Sequence, residues 1–326
     1  MSPVSDDKIS FTTFHNVINN ELADTAITRH SAVSAAKAAF TSWSKLSQDE
    51  RADHLNKFAD AIEANHQEFI GLLGKETGKP PQTAAFELQL VMGLACDTPK
   101  LRLKEEKLID DADVRAAPNL PQIPTCAMCR VVVSFGIVPW NFPLTLGIGK
   151  AFPALLAGNA FILKPSPYSP YTALKLVELG ARIFPPGVLQ VLSGEESLGP
   201  LFTAHPDVAK ISFTGSVSTG KKVMAACSST LKRFTLELGG NDAAIVCDDV
   251  DIDSVVAKVA FLTFVHCGEI CMNIKRIYVH ENIYDQFLAA MVAATKQSKT
   301  GDHADPEAFF RPVQNQMQYE KLQIFY

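Results

Sequence analysis

Short β-rich runs alternate with helical runs from residue 131 onward, and this alternation restricts the possible folds more than any other feature of the chain. The runs that read as strands are RVVVSFGIV, AFILK, GVLQVLS, AKISF and RFTLEL. The first helical run between them ends at Gly158, and the second begins at Ser169-Pro170, a capping residue followed by proline. Strands separated by helices predict an α/β fold, with a parallel sheet that helices cover on both faces.

The part of the chain before this alternation reads differently. Residues 33–74 place apolar side chains at helical spacing and predict helices. Residues 104–125 are polar and contain several prolines, which indicates a loop or an extended arm.

Composition excludes several classes of protein. The 326 residues are 47% hydrophobic and 20% charged, as in a soluble globular protein of one or two domains. A net charge of -5 with dispersed Lys and Arg argues against a nucleic-acid surface. The acidic N-terminus has no apolar core for a secretory signal, and no apolar run is long enough for a membrane span. Seven scattered cysteines favour a reducing compartment, so we expect a cytoplasmic protein.

Polar clusters follow the predicted strands, at the sheet edge where open α/β sheets bind ligands. Four of them are PWNFP, KPSPYSP, FTGSVSTG and ELGGN, and a fifth, HCGEIC, follows the helical run DIDSVVAKVAFLTFV. Their recurrence predicts one site that is built from several loops.

The glycine-rich loop KISFTGSVSTGKK has more than one interpretation. Gly215 ends a strand and Gly220 lies in the next helix, so the helix N-terminus could receive a phosphate. A plain strand–turn–helix connection would need the same small residues. A nucleotide-binding P-loop requires Ser or Thr where Lys222 stands, which disfavours an NTPase.

The cluster HCGEIC could be half of a zinc site, a disulfide or the location of a nucleophilic thiol. Zinc would require Cys126 and Cys129 to join Cys267 and Cys271, but the first pair lies in the predicted arm and the second pair is not spaced as C-x-x-C. A disulfide is disfavoured in a reducing compartment. We therefore predict no metal site and favour a nucleophile, although most cysteines in proteins are buried and inert.

Together the five clusters resemble the aldehyde dehydrogenase superfamily. The matching segments are PWNFPL (139–144), KPS (164–166), FTGSVSTG (213–220), LELGGN (236–241) and GEICMNIKRIYVH (268–280). They occur in the family's order, and the resemblance runs from about residue 31 to about residue 319. It skips a strand-bearing stretch after ITRH, and it stops about a third short of a full member.

The resemblance implies a Rossmann-type cofactor domain and an incomplete α/β catalytic domain. We place the first at residues 1–238, with a projecting oligomerisation hairpin at about 105–135, and the second at residues 239–326. The implied reaction is oxidation of an aldehyde to a carboxylic acid, with NAD as cofactor and NADP as an alternative. The family is homo-oligomeric, but the strand that joins subunits is not among the matched segments.

The resemblance also assigns catalytic roles. Cys271 would attack the aldehyde carbon, and its backbone N–H together with the Asn141 side chain would stabilise the oxyanion. Glu237 would be the general base that activates water for thioester hydrolysis. Without the resemblance, Asn141 could be a turn former, and Glu237 would be a carboxylate of unknown purpose at the end of an apolar strand.

A second set of residues would bind the cofactor. Lys164 would hold ribose hydroxyls, Ser216 would donate to the pyrophosphate and Trp140 would pack near the cofactor. The remaining members of the set are Ser166, Gly215, Gly220, Leu238 and Gly239. In isolation, Lys164 could be a solvated lysine, Ser216 a plain helix cap and Trp140 a core residue.

The chain departs from the usual family pattern at three positions. Glu269 stands where glutamine is common, so it would place negative charge near the thiolate. His266 stands where asparagine is common, and it could offset that charge when protonated. Pro167 replaces a glutamate that grips ribose in many members. We expect the chain alone to be poorly soluble or inactive, and the alternative function is an inactive nucleotide- or partner-binding protein.

Overall fold

The structure is a computed structural model that describes residues 2–3, 9–23, 29–102 and 131–324. Residues 105–130 of the predicted arm lie outside these ranges, as do Cys126 and Cys129. The last residues of the predicted arm, from Val133 on, belong to the strand Val133–Ile137 inside the sheet.

Helices and strands alternate from residue 133 onward, as the sequence predicts. The strands are β1 (Ser2–Pro3), β2 (Asn16–Ile18), β3 (Glu21–Ala23), β4 (Val133–Ile137), β5 (Ala160–Lys164), β6 (Leu189–Val191), β7 (Lys210–Gly215), β8 (Arg233–Leu238), β9 (Ala243–Val246) and β10 (Arg276–Val279). The helices are α1 (Arg29–Trp43), α2 (Gln48–Ala64), α3 (His66–Thr77), α4 (Pro81–Asp97), α5 (Pro143–Leu156), α6 (Tyr171–Gly180), α7 (Leu198–Thr203), α8 (Val217–Ser228), α9 (Ile252–Phe264), α10 (Tyr284–Lys296) and α11 (Gln316–Gln323).

Within the described ranges, eight strands form one sheet in the order β1-β3-β2-β6-β5-β4-β7-β8. Strands β4 to β8 are parallel, and β1 to β3 add an antiparallel edge next to β6. Strand β4 pairs with β5 on one side and with β7 on the other, so the direction of winding reverses there. This is the strand order of a dinucleotide-binding fold, and it confirms the predicted α/β class.

The sheet is covered on both faces, which explains why β5 is apolar up to its last residue, Lys164. Phe161 and Leu163 belong to a core formed with α2, α4, α5 and α6. Ala160 and Ile162 point to the opposite face, into a second core with α1, α7 and α8. Since side chains alternate along a strand, a strand that is buried on both faces reads as a continuous apolar run.

A third, smaller core lies in the C-terminal part of the chain. Strands β9 and β10 pair in parallel, and Val246, Val259, Phe287 and Met291 pack between them and helices α9 and α10. Strand β8, which leads into this region, is mostly exposed.

Candidate active site

A cleft of about 960 Å³ lies at the carboxyl ends of β4, β5 and β7, where the winding of the sheet reverses. Nine of the eleven site residues predicted from the sequence line it. They are Trp140, Asn141, Lys164, Ser166, Gly215, Ser216, Glu237, Gly239 and Cys271. The parallel sheet brings eight of these residues together because each follows or ends a strand at the same edge, whereas Cys271 comes from the loop after α9.

Asn141 belongs to the asparagine loop, residues 139–142, which connects β4 to α5. Its Nδ2 donates to the main-chain carbonyl of Glu269 at 2.9 Å, and its Oδ1 accepts from the N–H of Phe142 at 2.9 Å. The first bond ties the asparagine loop to the segment that carries Cys271. An amide nitrogen has a second hydrogen, so Asn141 retains a donor for a ligand in the cleft.

A buried ion pair supports the asparagine loop from behind. Lys79 is ion-paired with Glu87, both side chains are fully buried, and the Lys79 ammonium also donates to the carbonyl of Asn141 at 2.6 Å. Glu87 accepts from the N–H groups of Leu144 and Thr145 at 2.9 and 3.2 Å, and so caps helix α5. Residues of α4 and the turn before it thereby position the predicted oxyanion donor.

Cys271 ends a sharply turned segment, the cysteine loop, which comprises residues 265–271. His266 and Cys267 have φ values of 56° and 55°, in the left-handed region, and Gly268 follows with a φ of 71°. Beyond this turn Cys271 is exposed to the cleft, and its carbonyl accepts from the ammonium of Lys275 at 2.9 Å. The thiol is therefore accessible to a ligand.

Glu269 is buried as an ion pair with Arg311, a residue that the sequence analysis did not identify. Burial raises the pKa of Glu269, while the Arg311 charge and a main-chain N–H of Gln314 oppose that rise. The expectation that a protonated His266 offsets Glu269 is wrong. Burial, together with the charges of Lys79 and Arg311, lowers the pKa of His266 well below 6.5, so the imidazole is neutral.

Glu237 lies at the exposed end of β8, paired in register with Thr214 of β7. Lys150, on α5, is close enough to interact electrostatically with Glu237, and it lies 3.3 Å from the hydroxyl of Ser212. Burial lowers the pKa of Lys150 to about 8, although the Glu237 charge acts in the opposite direction. Lys150 lies inside an apolar helical run, and nothing in that pattern indicates a role in the site.

The other end of the cleft has the features of a phosphate site. Ser216 caps helix α8, its hydroxyl accepting from the N–H of Thr219 at 3.2 Å, and the helix N-terminus faces the cleft. A helix N-terminus favours a bound anion. Gly239 has open space where a side chain would project.

Lys164 and Ser166 occupy the wall beside β5. Lys164 is 5% exposed, and its ammonium donates to the carbonyl of Pro165 at 3.2 Å, which leaves further hydrogens for a ligand. Burial lowers the pKa of Lys164, and the charge of Glu196 opposes this effect. The donors at this wall and at α8 fit the hydroxyl and phosphate groups of a dinucleotide.

Gly220 and Leu238 do not line the cleft, in contrast to the other predicted residues. Gly220 is buried in α8, where an added Cβ would lie 2.7 Å from a methyl group of Leu238. The pair sets the close approach of α8 to β8, so its effect on the cleft is indirect. Helix α11, whose role the sequence analysis did not predict, contributes the lining residues Met317, Gln318 and Lys321.

Two features are absent from the described residues. None of the helices in the ranges given above is long and apolar enough to cross a membrane. Within the same ranges, no group of three or more His, Cys, Asp or Glu side chains is arranged to hold a metal ion.

Comparison with known proteins places this geometry in a family. The model of the aldehyde dehydrogenase family matches residues 12–326. A putative aldehyde dehydrogenase from Gibberella fujikuroi is 38% identical over 292 residues, which are 90% of this chain and 60% of that protein. A betaine aldehyde dehydrogenase from Vibrio vulnificus is 35% identical over 303 residues, 93% of this chain and 61% of that protein.

Solved structures give the same result. PnpE in complex with nicotinamide adenine dinucleotide superposes with a TM-score of 0.83 at 31% identity, over 96% of this chain and 68% of that one. PnpE from Pseudomonas sp. WBC-3 gives a TM-score of 0.84 at 32% identity, over 96% of this chain and 65% of that one. The chain spans about 60% of the length of the two curated relatives described above. By sequence and by fold, the chain belongs to the aldehyde dehydrogenase family.

Proposed function

We propose that the chain oxidises an aldehyde to a carboxylic acid with NAD⁺ or NADP⁺, and that Cys271 is the nucleophile. The observation that carries this proposal is the convergence of Cys271, Asn141 and Glu237 on one cleft. Family membership and the NAD complex of PnpE support it.

Each side chain has a separate task in this reaction. The thiolate of Cys271 adds to the carbonyl carbon, because an intact carbonyl does not release hydride readily. Asn141 Nδ2 and the N–H of Cys271 stabilise the negative charge that develops on the oxygen. After hydride loss a thioester joins the acyl group to Cys271, and Glu237 takes a proton from the water that hydrolyses it.

The cofactor would lie along the far wall of the cleft. Lys164 and Ser166 would bind ribose hydroxyls, and Ser216 with the N-terminus of α8 would bind the pyrophosphate. Bound NAD⁺ or NADP⁺ would supply the hydride acceptor. Trp140, Gly215 and Gly239 would shape the pocket, with Gly220 and Leu238 fixing α8 behind it.

The location and assembly of the protein are also proposals. The scattered cysteines support a cytoplasmic location, and the family resemblance supports a homo-oligomer. The separate C-terminal core supports a domain boundary between residues 238 and 239.

The test is NADH or NADPH formation by the full chain with a panel of aldehydes, in the wild type and two variants. Cys271→Ala should reduce reduced-cofactor formation by about 10³-fold or more, since the covalent step is lost. Cys247→Ala is the matched control, because Cys247 is exposed and lies outside the cleft. Equal loss in both variants, or no loss in Cys271→Ala, would contradict the proposal. Cofactor binding without reduction in the wild type would instead indicate the inactive nucleotide-binding protein.

A further inference from the structure

Arg311 lies between α10 and α11 and contacts the cysteine loop at three positions. Its guanidinium is ion-paired with Glu269, and Nη2 donates to Nε2 of His266 at 3.0 Å. Its main-chain N–H lies 3.2 Å from Sγ of Cys267, and its carbonyl accepts from that thiol at 3.1 Å. Because His266 is neutral, its ring nitrogen is free to accept from the guanidinium.

These contacts fall on the residues that are conformationally unfavourable. His266 and Cys267 both adopt the left-handed region, which costs a residue other than glycine about 1–2 kcal/mol. Such a conformation persists only where its surroundings hold it in place. The side chain of Arg311 holds His266, and its backbone holds Cys267.

Arg311 also connects the cysteine loop to the asparagine loop. The guanidinium carbon lies 6.0 Å from the ring centre of Trp140, and the His266 ring packs edge-on against Phe142 at 5.3 Å. Asn141 completes the connection through its hydrogen bond to the carbonyl of Glu269. Arg311 thus lies where the proposed nucleophile and the proposed oxyanion donor are joined.

We propose that Arg311 is a positioning residue that holds the cysteine loop against the asparagine loop and neutralises Glu269, so that Cys271 faces the cleft as a reactive thiol. The inference rests on the proposed function only for the role of Cys271. A planar guanidinium can hold a carboxylate and a ring nitrogen at once, whereas the ammonium of lysine is a single point charge.

The test measures the rate at which iodoacetamide alkylates Cys271 near neutral pH, by fragment mass spectrometry that separates Cys271 from Cys267. Arg311→Met should slow alkylation of Cys271 about tenfold, because the cysteine loop loses the contacts at Glu269 and His266 that hold it in place. Cys96 and Cys247 are exposed internal controls and should react at unchanged rates. Cys227 is fully buried and should stay unlabelled while the protein is folded. Alkylation of Cys271 within twofold of wild type in folded Arg311→Met would overturn the proposal.

Two further variants separate positioning from general stability. Arg311→Lys retains the positive charge but cannot hold Glu269 and His266 at once, so it should recover only part of the rate lost in Arg311→Met. Glu269→Gln removes the negative charge and should speed alkylation about threefold, in the direction opposite to Arg311→Met. If Arg311 only stabilised the fold, Arg311→Met and Glu269→Gln would change the alkylation rate of Cys271 in the same direction. That result would overturn the proposal.

The remaining outcomes are also decisive. If Cys227 becomes labelled in Arg311→Met, that variant is unfolded and Glu269→Gln alone decides. Alkylation of Cys271 at the wild-type rate in Glu269→Gln would then overturn the proposal. Arg102→Met is the matched control, since it breaks an exposed pair with Asp49, and it should change none of the rates. Failure of the proposed function would appear separately, as aldehyde oxidation that is unaffected by Cys271→Ala.

Discussion

At the scale of single residues, the predicted catalytic set comes from two loops and one strand end that are distant in sequence. Asn141, Glu237 and Cys271 were identified from short motifs, and the structure places all three on the lining of one cleft. Motifs of this kind can be recognised in a sequence because they concentrate polar residues at the ends of apolar strands. Arg311 has no such signal, since it is separated from Glu269 by 42 positions and no spacing rule relates them.

Glu237→Gln separates the two halves of the proposed reaction. Gln cannot remove a proton from water, so thioester hydrolysis should slow by about 10²–10⁴-fold while hydride loss continues. Rapid-mixing measurements should therefore show a burst of about one reduced cofactor per active site, followed by slow turnover. Glu281→Gln, an exposed carboxylate outside the cleft, should behave as wild type. Loss of the burst together with turnover would show that Glu237 acts earlier than proposed.

At the scale of secondary-structure elements, the sequence predicts most strands and helices but not what caps them. The predicted cap of α6 was Ser169, yet its hydroxyl has no hydrogen-bond partner among the described residues. Glu76 of α3 caps the helix instead and accepts from the N–H groups of Tyr171 and Thr172 at 2.7 and 3.2 Å. Likewise Glu87 of α4 caps α5. A cap supplied by another helix depends on tertiary packing, so local sequence cannot predict it.

The buried pair Lys79–Glu87 should show strong energetic coupling. Removal of either charge leaves the other one buried and unpaired, which costs about 3–5 kcal/mol. We expect the double variant Lys79→Met/Glu87→Gln to be more stable than the sum of the single variants implies, by at least about 2 kcal/mol. Urea unfolding of all four proteins gives the coupling free energy.

An exposed pair provides the control for this cycle. Lys37 and Asp207 lie 2.8 Å apart, but their side chains are 49% and 44% exposed. Their coupling free energy should be below about 1 kcal/mol, since solvent screens the pair. Additive effects at Lys79 and Glu87 would mean that the buried pair does not hold the asparagine loop as the geometry suggests.

At the scale of the whole molecule, the two large cores are well covered and the C-terminal region is not. Ile245 is 79% exposed, Met272 76% and Leu262 50%. Each of them lies within two positions of a residue that belongs to the third core or packs against it. Exposed apolar surface of this kind favours association. Poor solubility of the chain alone therefore stays a prediction. The sequence indicated a separate C-terminal region only through the family resemblance, because periodicity does not report what covers a strand.

The stability of the molecule should depend on pH through Glu76. Burial raises the pKa of Glu76 to about 7, from an ordinary value of 4.5, against the hydrogen bonds from Thr172 and Tyr171. Between these pH values the folded state binds more protons than the unfolded state, so stability falls as pH rises and is constant above pH 7. The loss is at most about 3 kcal/mol, because the residue is partly exposed.

Glu76→Gln isolates this contribution. The free energy of unfolding should be measured for wild type and variant from about pH 4.5 to 8, and the difference between the two compared at each pH. We expect wild type to lose stability relative to Glu76→Gln as pH rises to about 7. A difference that is independent of pH would show that the carboxyl ionises at its ordinary pH in the folded state.

The most direct measurement of the proposed chemistry is the alkylation rate of Cys271 in the presence and absence of an aldehyde substrate, with Cys247 followed in the same sample. We expect saturating aldehyde to slow alkylation of Cys271 at least about tenfold, because the thiol is then bonded to the carbonyl carbon, and to leave Cys247 unchanged. Equal rates for Cys271 with and without aldehyde, across a panel of substrates that the protein oxidises, would contradict its role as the nucleophile.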